Sequence, residues 1–123
     1  MTLKEVYEIV GGDYSDVIKR LVSEEFATRF VLKFSADDSF ALLTDAMKNR
    51  NAENAFRAAH TLKGVAQNLG FGNLGKSASA LTEVLRNRTF LGADDLYEKV
   101  KADYSALISA INAFASERNR IYS

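Results

Sequence analysis

The chain has no cysteine, no proline and a single histidine among its 123 residues. Without cysteine there is no disulfide framework, no thiolate ligand and no thiol nucleophile. Without proline, helix boundaries must come from side-chain caps and glycines. There is no excess of charge either: 16 Lys plus Arg stand against 16 Asp plus Glu, for a net charge of zero. That gives no support to nucleic acid or an anionic membrane as a general partner. No apolar run reaches the roughly 18 residues of a membrane-spanning helix. Met1-Thr2-Leu3-Lys4-Glu5 carries no signal-peptide pattern, so a cytoplasmic location without membrane insertion is expected. What is there is ordinary for a soluble domain, 47% hydrophobic and 26% charged. The length fits one domain over residues 1–123 with one core.

The pattern is helical, without strand alternation, internal repeat or low-complexity tract. Thr2 with Glu5 reads as a capping box opening a short helix that Gly11-Gly12 ends. Asp13 or Ser15 starts a second, with Val17, Ile18, Leu21 and Val22 on one face. Ser23 caps a third, in which Phe26, Phe30, Val31 and Phe34 recur at three- and four-residue spacing. The stretch Phe34-Ser35-Ala36-Asp37-Asp38 reads as a kink or restart with Ser35 as a cap, and Phe40, Leu42, Leu43, Ala46 and Met47 continue to about Arg50. One long, bent arm from about 24 to 49 is expected. Asn51 caps the next helix. Leu69 to Asn73 turns into a helix from about 73 to 88, with Leu74, Ala78, Leu81 and Leu85 as its core stripe. After a loop from Asn87 to Gly92, Asp94-Asp95 suit the positive end of a last helix, whose pattern runs from Leu96 to Ala115. The prediction is an all-α fold, an antiparallel four-helix bundle with one or two short N-terminal helices covering one end. Phe26, Phe30, Phe34, Tyr104 and Phe114 read as core filler.

Gly70-Phe71-Gly72-Asn73-Leu74-Gly75 spells G-x-G-x-x-G. The dinucleotide fingerprint needs a preceding strand, and here a helix precedes it. Gly70 reads instead as a C-cap, Gly72 as the turn and Gly75 as a close-approach residue. There is no phosphate-binding loop of the G-x-x-x-x-G-K-[ST] type and no kinase-type acidic Mg site, so the chain is not expected to use ATP itself.

The one histidine therefore carries the question. With His60 at zero and roughly 100° per residue, Ala55, Ala58, Leu62, Val65 and Leu69 cluster within roughly 45° of the opposite side. That stripe must face the core, so His60 points outward, against the ordinary reading of a lone histidine as a hydrogen-bonded core residue. Phe56, Arg57, Lys63, Gly64 and Gln67 share its side. Gly64 argues against an idle surface histidine: inside a helix glycine costs about 1 kcal/mol relative to Ala, and on an exposed face no core packing explains it. Side chains lean toward the helix N-terminus, so a side chain at 64 would lean over the imidazole, and glycine leaves the ring bare. Imidazole is a nucleophile near neutral pH, and a lysine beside it suits an anionic phosphoryl adduct. One histidine without cysteine or clustered carboxylates does not make a metal site.

His60-Thr61-Leu62-Lys63-Gly64 followed by Gly70 resembles the His-x-x-Lys-Gly signature of histidine-containing phosphotransfer (HPt) domains. The resemblance extends through Ala55-Phe56-Arg57-Ala58-Ala59, Asn68-Leu69-Gly70 and Leu81-Thr82-Glu83-Val84-Leu85-Arg86, and to Arg20-Leu21 and Arg29 to Phe34. It implies a phosphorelay intermediate: a phosphoaspartate on a response-regulator receiver domain gives its phosphoryl group to His60, at Nε2 as the more exposed ring nitrogen, and a second receiver takes it. It also implies a hybrid sensor kinase upstream, no cofactor of the chain's own, Mg²⁺ on the partner receiver, and a monomer. Within that reading Lys63 stabilises charge, Gly64 gives access, Gln67 is a hydrogen-bond donor, and Phe56 and Arg57 form part of the docking rim. Thr82 lies as far beyond the turn at Phe71 as His60 lies before it. Its hydroxyl is either a partner for one imidazole nitrogen or an ordinary boundary threonine bonded to its own helix. Three other readings remain open: the phosphotransfer domain of a chemotaxis-type kinase, a phosphate-independent helical adaptor, and a metal- or haem-binding bundle. The upstream kinase, the downstream regulator and the signal are not written in the sequence.

Overall fold

Side-chain oxygens open the helices where proline is missing. Thr2, Asp13, Ser23 and Asn51 each accept a hydrogen bond from the backbone N–H three residues on, and Glu5 returns the bond to Thr2 to complete a capping box. In a computed structural model, which describes residues 1–122 with side chains to 120, the chain forms α1 (Leu3–Ile9), α2 (Tyr14–Arg20), α3 (Glu24–Lys33), α4 (Ser39–Lys48), α5 (Ala52–Asn68), α6 (Gly72–Leu85) and α7 (Ala93–Tyr122). No strand occurs among the described residues. The bundle is built from the α3–α4 arm, α5, α6 and the 30-residue α7. α5 packs between α4 and α6, α6 packs on α7, and α7 also receives α1 and α3.

The bent arm expected from about 24 to 49, with a kink or restart at 34–38, is two separate helices. After Lys33 the chain tightens into a 3₁₀ turn, Phe34–Ala36, and becomes extended at Asp37 (φ −70°, ψ 132°). Ser35 caps nothing; Asp37 Oδ1 accepts the Ser39 N–H at 2.9 Å and starts α4. Phe34 stays buried and meets Phe71 and Tyr104. Phe40 stacks on Tyr104 at 4.1 Å and 13°, fastening α4 to α7.

Two of the five aromatics read as core filler are on the surface, Phe26 at 48% and Phe30 at 38% exposure. α3 has neighbours only on the side of Ala27, Thr28, Val31 and Phe34. Phe26 and Phe30 instead lie against each other, 5.4 Å apart, with the Arg29 guanidinium over Phe26.

The short N-terminal helices clasp the turn between α5 and α6. The Tyr7 hydroxyl donates to the Leu69 carbonyl at 2.6 Å, Arg20 Nη1 to the Asn68 carbonyl at 2.9 Å, and the Asn73 N–H to the Val10 carbonyl at 3.0 Å. Glycine makes this closeness possible: a Cβ at Gly72 would collide with the Gly11 carbonyl, and one at Gly12 with the Gly70 carbonyl. The G-x-G-x-x-G string is therefore packing. Gly70 ends α5 with a left-handed φ of +75°. Gly72, read as the turn, is the first residue of α6 and a point of backbone contact. Gly75, read as a close-approach residue, is not one that the packing requires: a Cβ there would stand 3.4 Å from the Gln67 stem, an ordinary contact.

Candidate functional site

α5 buries a seam of mostly small side chains, Ala55, Ala58, Ala59, Leu62 and Ala66, which lets the helix lie close between α4 and α6. The opposite face is the one that carries His60, and His60 is exposed. At Gly64, one turn later, a Cβ would meet nothing within 4 Å. Lys63 is half-buried and Gln67 exposed, and both lie on the flank of α5 that faces α6. Arg57 lies on the other flank, where its Nε bonds Glu53 Oε1 at 3.1 Å.

The ring of Phe56 lies parallel to the imidazole, with centroids 5.9 Å apart and an interplanar angle of 3°. The Phe56 ring is half-buried against the core and also carries the guanidinium carbon of Arg88 at 4.0 Å and that of Arg86 at 5.6 Å. Arg88 stands in the loop after α6 with a left-handed φ of 58°. Its Nε bonds Glu53 Oε2 at 2.5 Å and its Nη1 the Arg86 carbonyl at 2.5 Å. Arg86 in turn pairs with Glu83. Arg88, followed by its own and Arg57's charge, holds the Glu53 carboxyl below its ordinary range. Arg86, with a smaller contribution from Lys63, does the same to Glu83. The cluster thus sets four cations (Arg57, Lys63, Arg86, Arg88) against two carboxylates (Glu53, Glu83), a local positive surplus on a chain of zero net charge.

Thr82 does not reach the imidazole. It is fully buried, and its hydroxyl donates to the Ala78 carbonyl of its own helix at 2.7 Å. The wheel placed Thr82 beside the core stripe; the unbonded hydroxyl of a buried threonine turned to the nearest carbonyl, one turn back. Among the described residues nothing hydrogen-bonds either ring nitrogen of His60.

Sequence reasoning brought Phe56, Arg57, Lys63, Gly64 and Gln67 to the side of His60, and the fold keeps them there, with Arg57 on the opposite flank from Lys63 and Gln67. It missed Glu53, Glu83, Arg86 and Arg88 as members of the cluster. Glu53 is readable from its i,i+4 spacing to Arg57, whereas Arg88 arrives from 35 residues away. Among the described residues no group of three or more His, Asp or Glu is placed to hold a metal ion. No helix there is long and apolar enough to cross a membrane.

The family model of the Hpt domain matches residues 31–110, well over half of the chain, from the last turn of α3 into α7. This chain belongs to the Hpt domain family. The match spans His60 and every residue of the cluster around it. No curated protein and no solved structure matches the chain. Hpt membership places the chain among the phosphotransfer proteins of two-component phosphorelays, whose partners are response-regulator receiver domains. In that setting an exposed imidazole with a cationic surround is suited to accept a dianionic phosphoryl group.

Proposed function

We propose that this Hpt domain carries a phosphoryl group on His60 between the aspartates of two receiver domains. The observation that supports this most is the exposed imidazole of the chain's one histidine, on α5, with open space at Gly64 and Lys63 beside it. The neutral imidazole uses a ring-nitrogen lone pair to attack the phosphorus of the receiver's aspartyl phosphate. The N–P bond forms as the P–O bond breaks, and the aspartate leaves as carboxylate. The return step reverses this on a second receiver. Nε2 is the attacking nitrogen, being farther from the helix backbone. Lys63 offsets the charge of the phosphoryl oxygens, and Gln67 donates to them from the next turn. Gly64 leaves room for the receiver, and Arg57 meets its rim. The receiver brings the divalent cation and the carboxylates that bind it, and the upstream donor is a hybrid sensor kinase that ends in such a receiver.

Phosphoryl transfer from a phosphorylated receiver to wild type and to His60→Gln tests the reading. The expected outcome is an acid-labile, alkali-stable label on wild type and none on the variant. Equal labelling of both overturns His60 as the acceptor, and no label on either from receivers that demonstrably bind overturns the carrier reading in favour of a phosphate-independent adaptor.

A further inference from the structure

An exposed imidazole that no described residue hydrogen-bonds can turn about two side-chain torsions. A nucleophile that must meet a phosphorus atom fixed in a docked partner gains from losing that freedom. Among the described residues, the aromatic ring beside it is Phe56, parallel to it within 3° at 5.9 Å between centroids. Phe56 sits one turn before His60 on the same helix, where the lean of side chains toward the N-terminus lays the imidazole over its ring. Phe56 is itself restrained on two sides. Its base packs on the core, and its ring carries the Arg88 guanidinium at 4.0 Å, within the range of a cation–π contact.

Arg88 is not a freely moving surface arginine. Glu53 Oε2 and the Arg86 carbonyl both hold it at 2.5 Å, from a residue in the left-handed backbone region. Glu53 stands one turn before Arg57 and two turns before His60 on α5, so the tether closes back onto the helix that carries the acceptor.

We propose that Phe56 is the positioning residue of the His60 imidazole, and that Arg88, tethered by Glu53, holds Phe56 in place. The inference rests on His60 being the phosphoacceptor. It gives Phe56 a task different from contact with the receiver: Phe56 takes the part that a hydrogen bond to the ring would play in fixing its orientation. Stacking fixes the plane of the imidazole and leaves both nitrogens unbonded, which suits a group that must accept and surrender a phosphoryl group in turn.

The test uses Phe56→Leu, Phe56→Tyr, Arg88→Gln and Arg88→Lys. The single histidine gives one set of imidazole resonances, so its ring order is read directly by NMR relaxation on the isolated domain. Transfer is measured from an acetyl-phosphate-charged receiver that labels wild type, relative to labelling by the small donor phosphoramidate. Phe56→Leu and Arg88→Gln are expected to loosen the imidazole. They are expected to lower the relative transfer rate at saturating receiver by about tenfold, with the half-saturating concentration unchanged. Phe56→Tyr restores both readouts, and Arg88→Lys restores them in part. Imidazole order and relative rate both unchanged in Phe56→Leu and Arg88→Gln overturn the proposal. A rise in half-saturating receiver concentration alone also overturns it, making Phe56 a docking residue. If no receiver labels wild type, the carrier reading fails, and the relaxation data alone still decide whether Phe56 and Arg88 order the ring.

Discussion

Gly64 lies inside α5, where almost any other residue would favour the helix. Its backbone is not in the left-handed region and a Cβ there meets open space, so nothing within the chain calls for glycine. Gly64→Ala is expected to raise stability by about 0.5–1 kcal/mol, read as a higher urea midpoint. Gly64→Leu is expected to keep part of that gain while slowing transfer from a receiver about tenfold, by displacing the docked phosphorus. A substitution that improves the helix and impairs transfer separates what the fold needs from what the partner needs. Thr82 behaves in the opposite way. Its hydroxyl is spent on the Ala78 carbonyl, so Thr82→Val is expected to leave transfer unchanged and shift stability by less than about 1 kcal/mol. A sharp loss of transfer would show the hydroxyl serving the imidazole after all. Helical angle alone made the exposure of His60 legible, because the opposite stripe of Ala55, Ala58, Leu62 and Leu69 is apolar enough to force burial. The same wheel gives no hydroxyl rotamer, so it left two readings of Thr82 standing. It also gives no access to Arg88, whose place depends on the path of a loop.

The short N-terminal helices take their position from glycine backbones pressed against one another at the α5–α6 turn. Gly72→Ala forces the new methyl group into the Gly11 carbonyl and is expected to destabilise by about 1–3 kcal/mol in urea unfolding, opposite in sign to Gly64→Ala. Helix starts were legible because a cap is a short local code: a side-chain oxygen and an N–H three residues on, as at Thr2, Asp13, Ser23 and Asn51. The break between α3 and α4 was legible as a restart but not as a loss of helix, because the code there sits on Asp37 rather than Ser35. Phe26 and Phe30 misled for another reason. Their spacing says that they share a helix face, and only the arrangement of neighbouring helices says whether anything covers that face.

For the molecule as a whole, Tyr7 ties global stability to pH. It is fully buried and bonded to the Leu69 carbonyl, and burial raises its hydroxyl well above the ordinary value of 10.0. A folded-state value above the unfolded one means that the contribution is whole below about pH 10 and lost as pH rises beyond it. The urea midpoint of wild type is expected to fall steeply above pH 10. Tyr7→Phe should flatten that fall and cost about 1 kcal/mol at neutral pH for the lost hydrogen bond. Tyr14 and Tyr104, also raised by burial, leave a residual slope. The all-helical bundle was legible from the periodicity of four arms, and the family from five residues around His60. The closing of α1 and α3 onto α7 was not, since contacts between distant stretches leave no local pattern. One further consequence lies in the small-residue seam of α5. Closely seated between α4 and α6 through small side chains, the helix beneath His60 has little slack. On the carrier reading, a message given to such a molecule stays in a covalent bond and is not rewritten as a change of shape. One group arrives and one group leaves, so the step has unit gain: amplification and interpretation fall to the proteins on either side of it.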